Sequence, residues 1–278
     1  MLNQVFSNKI CVVTGGASGL GREIGRQLAA VNSTVVLADI DDAGLAAAVS
    51  GTAPGGGRVT SMRVDVADSE SVRNLIDGAA AQFGRIDYLF NNAGIVVPGE
   101  IRDLSLSDWR RVIEINQFGV IHGIHHAYPI MIRQQSGHIV NVSSGFGMAP
   151  GPLNSPYVAS KFAVFGISHA LAAEARGFGI DVSVICPGYI ATELMERLQP
   201  VNADTAAMKA QIPVKFVPVE RAARLVLKGV ARKRMVIAFP GYVRQLAFLH
   251  RFLPGLFARF SAKQVEQFRT IRRADMQG

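Results

Sequence analysis

Thr14-Gly15-Gly16-Ala17-Ser18-Gly19-Leu20-Gly21 follows an apolar, β-branched run, Lys9–Thr14, and opens a helical pattern over 19–31. Glycine lets the backbone take positive φ and come close to a ligand. A helix start adds unpaired N–H groups and the positive end of a dipole, which suits a diphosphate. In a chain with 28 glycines, the cluster alone reads equally well as an ordinary strand-to-helix turn. The next run, Thr34–Asp39, shifts that balance, because it ends in a carboxylate 18 residues beyond Gly21. An acid about 20 residues after such a loop can bind the hydroxyls of an adenosine ribose. It would also repel a 2′-phosphate, and Ile40, Asp41 and Asp42 follow it rather than a basic residue. The pattern predicts NAD over NADP. Two alternatives stay open: Asp39 as a helix N-cap, and Arg22 as a partner for a phosphate.

Outward from this loop, short strand-like runs alternate with longer helical patterns. The strands are read at Lys9–Thr14, Thr34–Asp39, Arg58–Val64, Ile86–Asn91, Gly137–Ser143, Asp181–Pro187 and Met235–Phe239. They are apolar throughout, as strands covered on both faces would be. Helices are expected at about 19–31, 41–50, 69–84, 107–135, 157–177 and 219–232, with starts at Ser69 and Ser107-Asp108. Alternating βα units imply right-handed crossovers and one parallel, doubly wound α/β sheet of seven strands. Gly55-Gly56-Gly57 reads as a turn before the third strand.

With 278 residues, 49% hydrophobic and 18% charged, the chain has material for one large core and is not a disordered protein. No apolar run reaches a membrane span, and no secretory leader is expected at the start. Cys11 and Cys186 are read as inert core thiols in a reducing, cytoplasmic setting. Residues 1–219 hold 16 Lys+Arg against 18 Asp+Glu, whereas 220–278 hold 13 against 3. The basic character therefore belongs to the C-terminal fifth, and no body-wide nucleic-acid surface is indicated.

Tyr157 and Lys161 stand at i and i+4, on one face of a helix that Pro156 helps to start. The preceding strand ends in Ser143-Ser144, at the sheet edge where open α/β folds bind ligands. Asn116 lies inside a helical segment, where a buried amide needs a reason. The chain resembles the short-chain dehydrogenase/reductase family, in its compact single-domain branch, over about residues 7–240. The resemblance rests on Thr14–Gly21, Asp65-Val66, Asn91-Asn92-Ala93-Gly94, Asn116, Ser144, Tyr157-x-x-x-Lys161 and Pro187-Gly188-x-x-x-Thr192.

That resemblance implies a Rossmann-type fold and a homodimer or homotetramer. It implies cofactor contacts from Gly15, Ser18, Gly19, Leu20, Gly21, Asp39, Ile40, Asp65, Val66, Asn92, Ala93 and Gly94. Tyr157, Lys161, Pro187, Gly188, Ile190 and Thr192 would complete the cofactor set. Asn116, Ser144, Tyr157 and Lys161 would be the catalytic group. Tyr157 would exchange the alcohol proton, its pKa lowered by the Lys161 ammonium and by the positive nicotinamide ring. Ser144 would hold the substrate oxygen, with Ser143 structural, and Asn116 would hold a relay water. The competing readings are a surface Tyr–Lys pair, a serine cap and a core asparagine.

Apolar residues after Ser144 (Phe146, Met148, Pro150, Leu153) and after Gly188 (Tyr189, Ile190, Leu194, Met195, Leu198, then Met208, Ile212, Phe216) suggest a bulky hydrophobic alcohol or ketone. They serve equally as packing between a lid and the body. An NAD-retaining epimerase or dehydratase and a non-catalytic NAD-binding scaffold are the other functional readings.

Residues 1–240 form the expected catalytic domain, and 241–278 an extension of two helices, Gly241–Leu253 and Leu256–Ile271, broken at Pro254-Gly255. Its Leu, Phe and Arg residues suit a membrane surface, packing within or between subunits, or another partner, but not nucleic acid. A lone His250 without clustered ligands predicts no metal.

Overall fold

The parallel sheet predicted from the βα alternation is present in a computed structural model describing residues 2–51 and 56–272. In chain order, helix α1 (Leu2–Phe6) precedes β1 (Ile10–Thr14), α2 (Gly19–Ala29), β2 (Thr34–Asp39), α3 (Asp42–Ser50), β3 (Val59–Arg63), α4 (Ser69–Phe83) and β4 (Tyr88–Asn91). Next come α5 (Leu106–Ile113), α6 (Gly119–Gln134), β5 (Gly137–Val142), α7 (Ser155–Ala175) and β6 (Ile180–Pro187). Two short strands, β7 (Ile190–Ala191) and β8 (Val217–Pro218), pair apart from the main sheet and bracket α8 (Glu193–Glu196) and α9 (Thr205–Ala210). The chain continues through α10 (Val219–Ala231), β9 (Val236–Phe239), α11 (Gly241–Phe252) and α12 (Pro254–Arg269).

The main sheet has the order β3-β2-β1-β4-β5-β6-β9, all parallel. Its order reverses between β1 and β4, so a crevice opens at their carboxyl ends. Successive residues of a strand face opposite sides. Cys11 and Val13 accordingly join one core with Ile24, Leu28, Leu45 and Val226 of α2, α3 and α10. Val12 joins the other, with Leu75, Met131 and Leu171 of α4, α6 and α7. The expectation of strands covered on both faces holds for β1, β4, β5 and β6 and fails for β3. That strand lies at the edge, where Ser61, Met62 and Arg63 are exposed.

Helix boundaries follow the caps. Helix α4 begins at Ser69 as expected, and Asp68 caps it, its carboxylate accepting from Glu70 N at 3.0 Å. Helix α5 begins at Leu106, one residue before the expected Ser107, and Ser105 caps it in a reciprocal pair with Asp108. The single helix expected over 107–135 is interrupted by a π-turn at Glu114–Phe118, which carries Asn116. Helix α7 begins at Ser155, two residues before the expected start, with Pro156 in its first turn. Gly55 of the predicted turn lies outside the described residues.

The extension folds back onto the body. Val243 is buried with Val184, Cys186 and Ala238. Phe257 and Phe268 are buried, and Arg269 and Arg272 pair with Glu100 and Asp103. The break between its helices falls at Leu253, because Pro254 fits the first turn of α12, where its missing N–H has no partner to lose. No described helix is long and apolar enough to cross a membrane.

Cys11 and Cys186 are free and fully buried, and burial pushes both thiols up, Cys186 to about 12. Neither should react with a thiol reagent in the folded protein, and both should react in denaturant. Stoichiometric labelling of the native chain would show that β1 or β6 opens.

Candidate active site

A backbone clasp holds the glycine loop at the end of β1. Thr14 Oγ1 accepts from Asn92 N at 3.0 Å and Ala93 N at 3.1 Å. Asn92 Nδ2 donates in return to the carbonyls of Thr14 and Gly15, at 2.9 and 3.2 Å. Gly15 has φ +66° and Gly19 φ +51°. A Cβ on Gly21 would collide with the Gly15 carbonyl oxygen, and one on Gly16 would lie 2.9 Å from Leu37 Cβ. The loop therefore requires glycine for backbone shape and for close approach. Thr14 stood in the quoted stretch, yet its role is visible only once β4 lies beside β1.

Two carboxylates already face this loop. Asp39 accepts from Ala17 N at 3.0 Å and from Asp41 N at 3.2 Å. It does not cap α3; Asp41 does, accepting from Gly44 N at 3.0 Å. The N-cap alternative for Asp39 is thus removed. The second carboxylate belongs to Glu193 of α8. It accepts from Gly19 N at 2.9 Å and from Arg22 Nη2 at 2.5 Å. Burial alone would raise its pKa, but its own backbone N–H, the Arg22 charge and the Gly19 N–H together bring it below the ordinary value. A side-chain anion thus already accepts from the N–H at the start of α2, which shows that this helix start takes an anionic oxygen. Arg22, left open as a phosphate partner, is engaged by this acid, and the sequence offered no signal for the pair.

The other cofactor candidates sort by side chain. Ser18 makes no capping bond of its own to α2. Leu20 is buried in the core and Ile40 is exposed beside Asp39. Asp65 accepts from Ala67 N at 3.0 Å, and Val66 is buried. Thr192 reaches the loop, since a Cβ on Gly19 would lie 3.2 Å from its Cβ. Pro187 pairs with Phe239, and Gly188 packs so closely on Tyr242 that a Cβ would collide with the phenol oxygen. The Ile190 side chain is in the core, so any ligand contact would come from its main chain.

Asn116 is fully buried, and its side chain makes three hydrogen bonds. Its Oδ1 accepts from Ile95 N at 2.8 Å, and its Nδ2 donates to Ile95 O at 2.9 Å and Ser160 Oγ at 3.2 Å. Ser160 donates to the Tyr157 carbonyl at 2.7 Å. A Cβ on Gly94 would lie 3.2 Å from Asn116 Oδ1 and 3.4 Å from Lys161 Nζ, so glycine keeps the two polar groups facing each other. Ser143 donates to the Lys161 carbonyl at 2.7 Å, and Ser144 Oγ accepts from Phe146 N at 3.1 Å.

Lys161 is buried and donates to the Val142 carbonyl at 2.8 Å, with Nζ 5.4 Å from the centre of the Tyr157 ring. Burial pushes its pKa down to about 8, so it is largely charged at neutral pH. Burial raises the Tyr157 phenol, and the Ser144 hydroxyl acts in the opposite direction. Lys161 Nζ stands beside the phenol ring while one of its N–H groups is anchored on Val142.

Beside Tyr157 stands an aromatic wall. Phe146 meets Tyr157 and Tyr189 edge to face, with centroids 6.4 and 6.3 Å apart. Tyr189 stacks on Phe216 at 5.5 Å, and its N–H donates to Tyr242 Oη at 3.0 Å. Leu198 is buried, and Met148 packs against the Val184 cluster. The two apolar segments therefore divide between pocket wall and packing. An open groove of about 540 Å³ between Pro150–Pro152 and α12 includes none of Ser144, Tyr157 or Lys161 among its lining residues.

A cradle that excludes Cβ atoms, an anion-accepting helix start and an acid ending β2 together fit a dinucleotide. Known proteins agree. The sequence profile of the short chain dehydrogenases matches residues 9–203. A cis-4-hydroxycyclohexanecarboxylate dehydrogenase of Sinomonas cyclohexanicum is 38% identical over 214 residues, covering 77% of this chain and 85% of that protein. The 3-oxoacyl-[acyl-carrier-protein] reductase FabG of Thermotoga maritima is 34% identical over 223 residues, covering 80% and 90%. The crystal structure of a short chain dehydrogenase/reductase from Burkholderia phymatum in complex with NAD superposes with a TM-score of 0.83 at 30% identity. It covers 91% of this chain and 96% of that one, so the likeness continues past residue 240 into the C-terminal helices. The chain belongs to the short-chain dehydrogenase/reductase family.

Proposed function

We propose that this protein is an NAD-dependent oxidoreductase interconverting a hydrophobic secondary alcohol and its ketone. The observation that carries this reading is Tyr157, flanked by Ser144 and Lys161 at the sheet's carboxyl edge and walled by Phe146 and Tyr189. A bound nicotinamide cofactor would supply the hydride acceptor and, in its oxidised form, a positive charge that favours the phenolate. Gly15 to Gly21 and Thr192 would hold its diphosphate, and Asp39 its adenosine ribose. Tyr157 takes the alcohol proton during oxidation and returns it during reduction. Ser144 hydrogen-bonds the substrate oxygen as charge develops there. Lys161, anchored on Val142, supplies a fixed positive charge behind the ring. Asn116 holds the Ile95 backbone and Gly94 at the inner wall. Phe146, Tyr189 and Phe216 favour an alicyclic, aryl or steroid-like carbon skeleton. Exposed Phe118 near the start of α6 and Phe162 on α7 support a homodimer as the smallest assembly.

NADH absorbance, followed with NAD+ and a panel of hydrophobic secondary alcohols, tests the reading. Tyr157→Phe should lower turnover by about 10²–10⁴-fold while NADH binding stays unchanged. Turnover confined to sugar alcohols would contradict the aromatic wall.

Wild-type protein should bind NAD+ far more tightly than NADP+. Asp39→Ser should narrow that gap, chiefly by improving NADP+ binding as the repulsion of the 2′-phosphate disappears. Equal wild-type affinities, measured by titration, would overturn the assignment.

Glu193 and a diphosphate compete for the same loop N–H, so the acid must move aside when the cofactor enters. Glu193→Gln should therefore tighten NAD+ binding by about two- to fivefold, the scale of a partly exposed ion pair. Weaker binding in calorimetry would instead make Glu193 a supporting group.

A further inference from the structure

The C-terminal hairpin has two unlike sides. One side is fixed to the body through buried Val243, Phe257 and Phe268 and through the Arg269–Glu100 and Arg272–Asp103 pairs. The other is apolar and open. Phe248, Phe252, Leu253, Leu256 and Phe260 are between 42% and 64% exposed, and the Phe248 and Phe252 rings pack at 4.7 Å.

Cations are interleaved with these residues at helical spacing. Arg244, Phe248, Arg251 and Phe252 fall at i, i+4, i+7 and i+8 on α11. Leu256, Arg259, Phe260 and Lys263 fall at i, i+3, i+4 and i+7 on α12. Each set forms one stripe of its helix. None of Arg244, Arg251, Arg259 and Lys263 makes an ion pair among the described residues, in contrast to Arg269 and Arg272. The sequence has ten Lys and Arg between residues 221 and 265 and no Asp or Glu.

We infer that this exposed side of α11 and α12 is a docking surface for an anionic lipid bilayer. The Phe and Leu side chains enter the boundary between headgroups and acyl chains. The Arg and Lys heads extend to the phosphates while their stems cover apolar surface. A second copy of the chain matches the surface poorly, because a two-fold contact centred on it would set four cations against four like cations. Nucleic acid would satisfy the cations and leave the Phe and Leu side chains exposed to water. The Glu100 and Asp103 pairs hold the hairpin in place, so the surface is presented without refolding.

Flotation of the full-length protein tests this, using vesicles of phosphatidylglycerol mixed with phosphatidylcholine against phosphatidylcholine alone. The protein should float with the anionic vesicles and be released in about 0.5 M salt, where screening is strong. Phe248→Ser/Phe252→Ser/Phe260→Ser should reduce flotation by about tenfold or more. Arg251→Glu/Arg259→Glu, which changes only exposed positions, should do the same and guards against misfolding of the first variant. Light scattering should give both variants the wild-type subunit number. Absence of flotation, or equal flotation of wild type and both variants, would overturn the proposal. So would variants that lose subunits, since the surface would then be a contact between copies.

Discussion

The close passage of the chain at Gly15 and Gly21 is the constraint from which the rest of the site follows. The Gly21 backbone leaves no room for a side chain against the Gly15 carbonyl, and Thr14 and Asn92 hold that geometry between the ends of β1 and β4. Forcing even a methyl group into so tight a contact costs about 1–3 kcal/mol. The loop sits where the sheet order reverses, so the start of α2 points into the crevice. Asp39 at the end of β2 and Thr192 before α8 arrive at the same loop from opposite sides. A single backbone contact thus fixes the shape of the loop and which side chains reach it.

Burial governs the groups proposed to react. Lys161 is buried and donates to Val142 while burial lowers its pKa, and Asn116 directs its amide to Ile95 and Ser160. Leaving either amide group of Asn116 without a partner would cost about 1–3 kcal/mol. The π-turn at Glu114–Phe118 coincides with that requirement, carrying the buried amide beside the Ile95 backbone. Ser143 and Ser144 illustrate how adjacent residues of one type take different work. The first is consumed by the Lys161 carbonyl, and the second stays beside the phenol.

At α8 and in the C-terminal helices, packing decides which charged groups find partners within the chain. Glu193 reaches across to the loop because the start of α2 presents N–H groups without helix partners. The cations of α11 and α12 divide into those paired with Glu100 and Asp103 and those left among exposed rings. Composition gives both groups the same appearance, and packing separates them.

The strand runs, the glycine loop, Asp39, the Tyr157–Lys161 spacing and the basic tail were legible in the sequence. Each is a local matter of propensity, periodicity or spacing along one element. Other features were decided only by tertiary structure. They include the exposed edge position of β3, the π-turn in the helix over 107–135, the Thr14 clasp and the Glu193 carboxylate on the loop. So too with the commitment of Lys161 to Val142 and the division of the apolar segments between wall and packing. These depend on residues up to 174 positions apart, as with Gly19 and Glu193. The sequence specifies which groups each element carries; only the folded chain fixes which of them meet, because hydrogen bonding and burial act through distance in space and not along the chain.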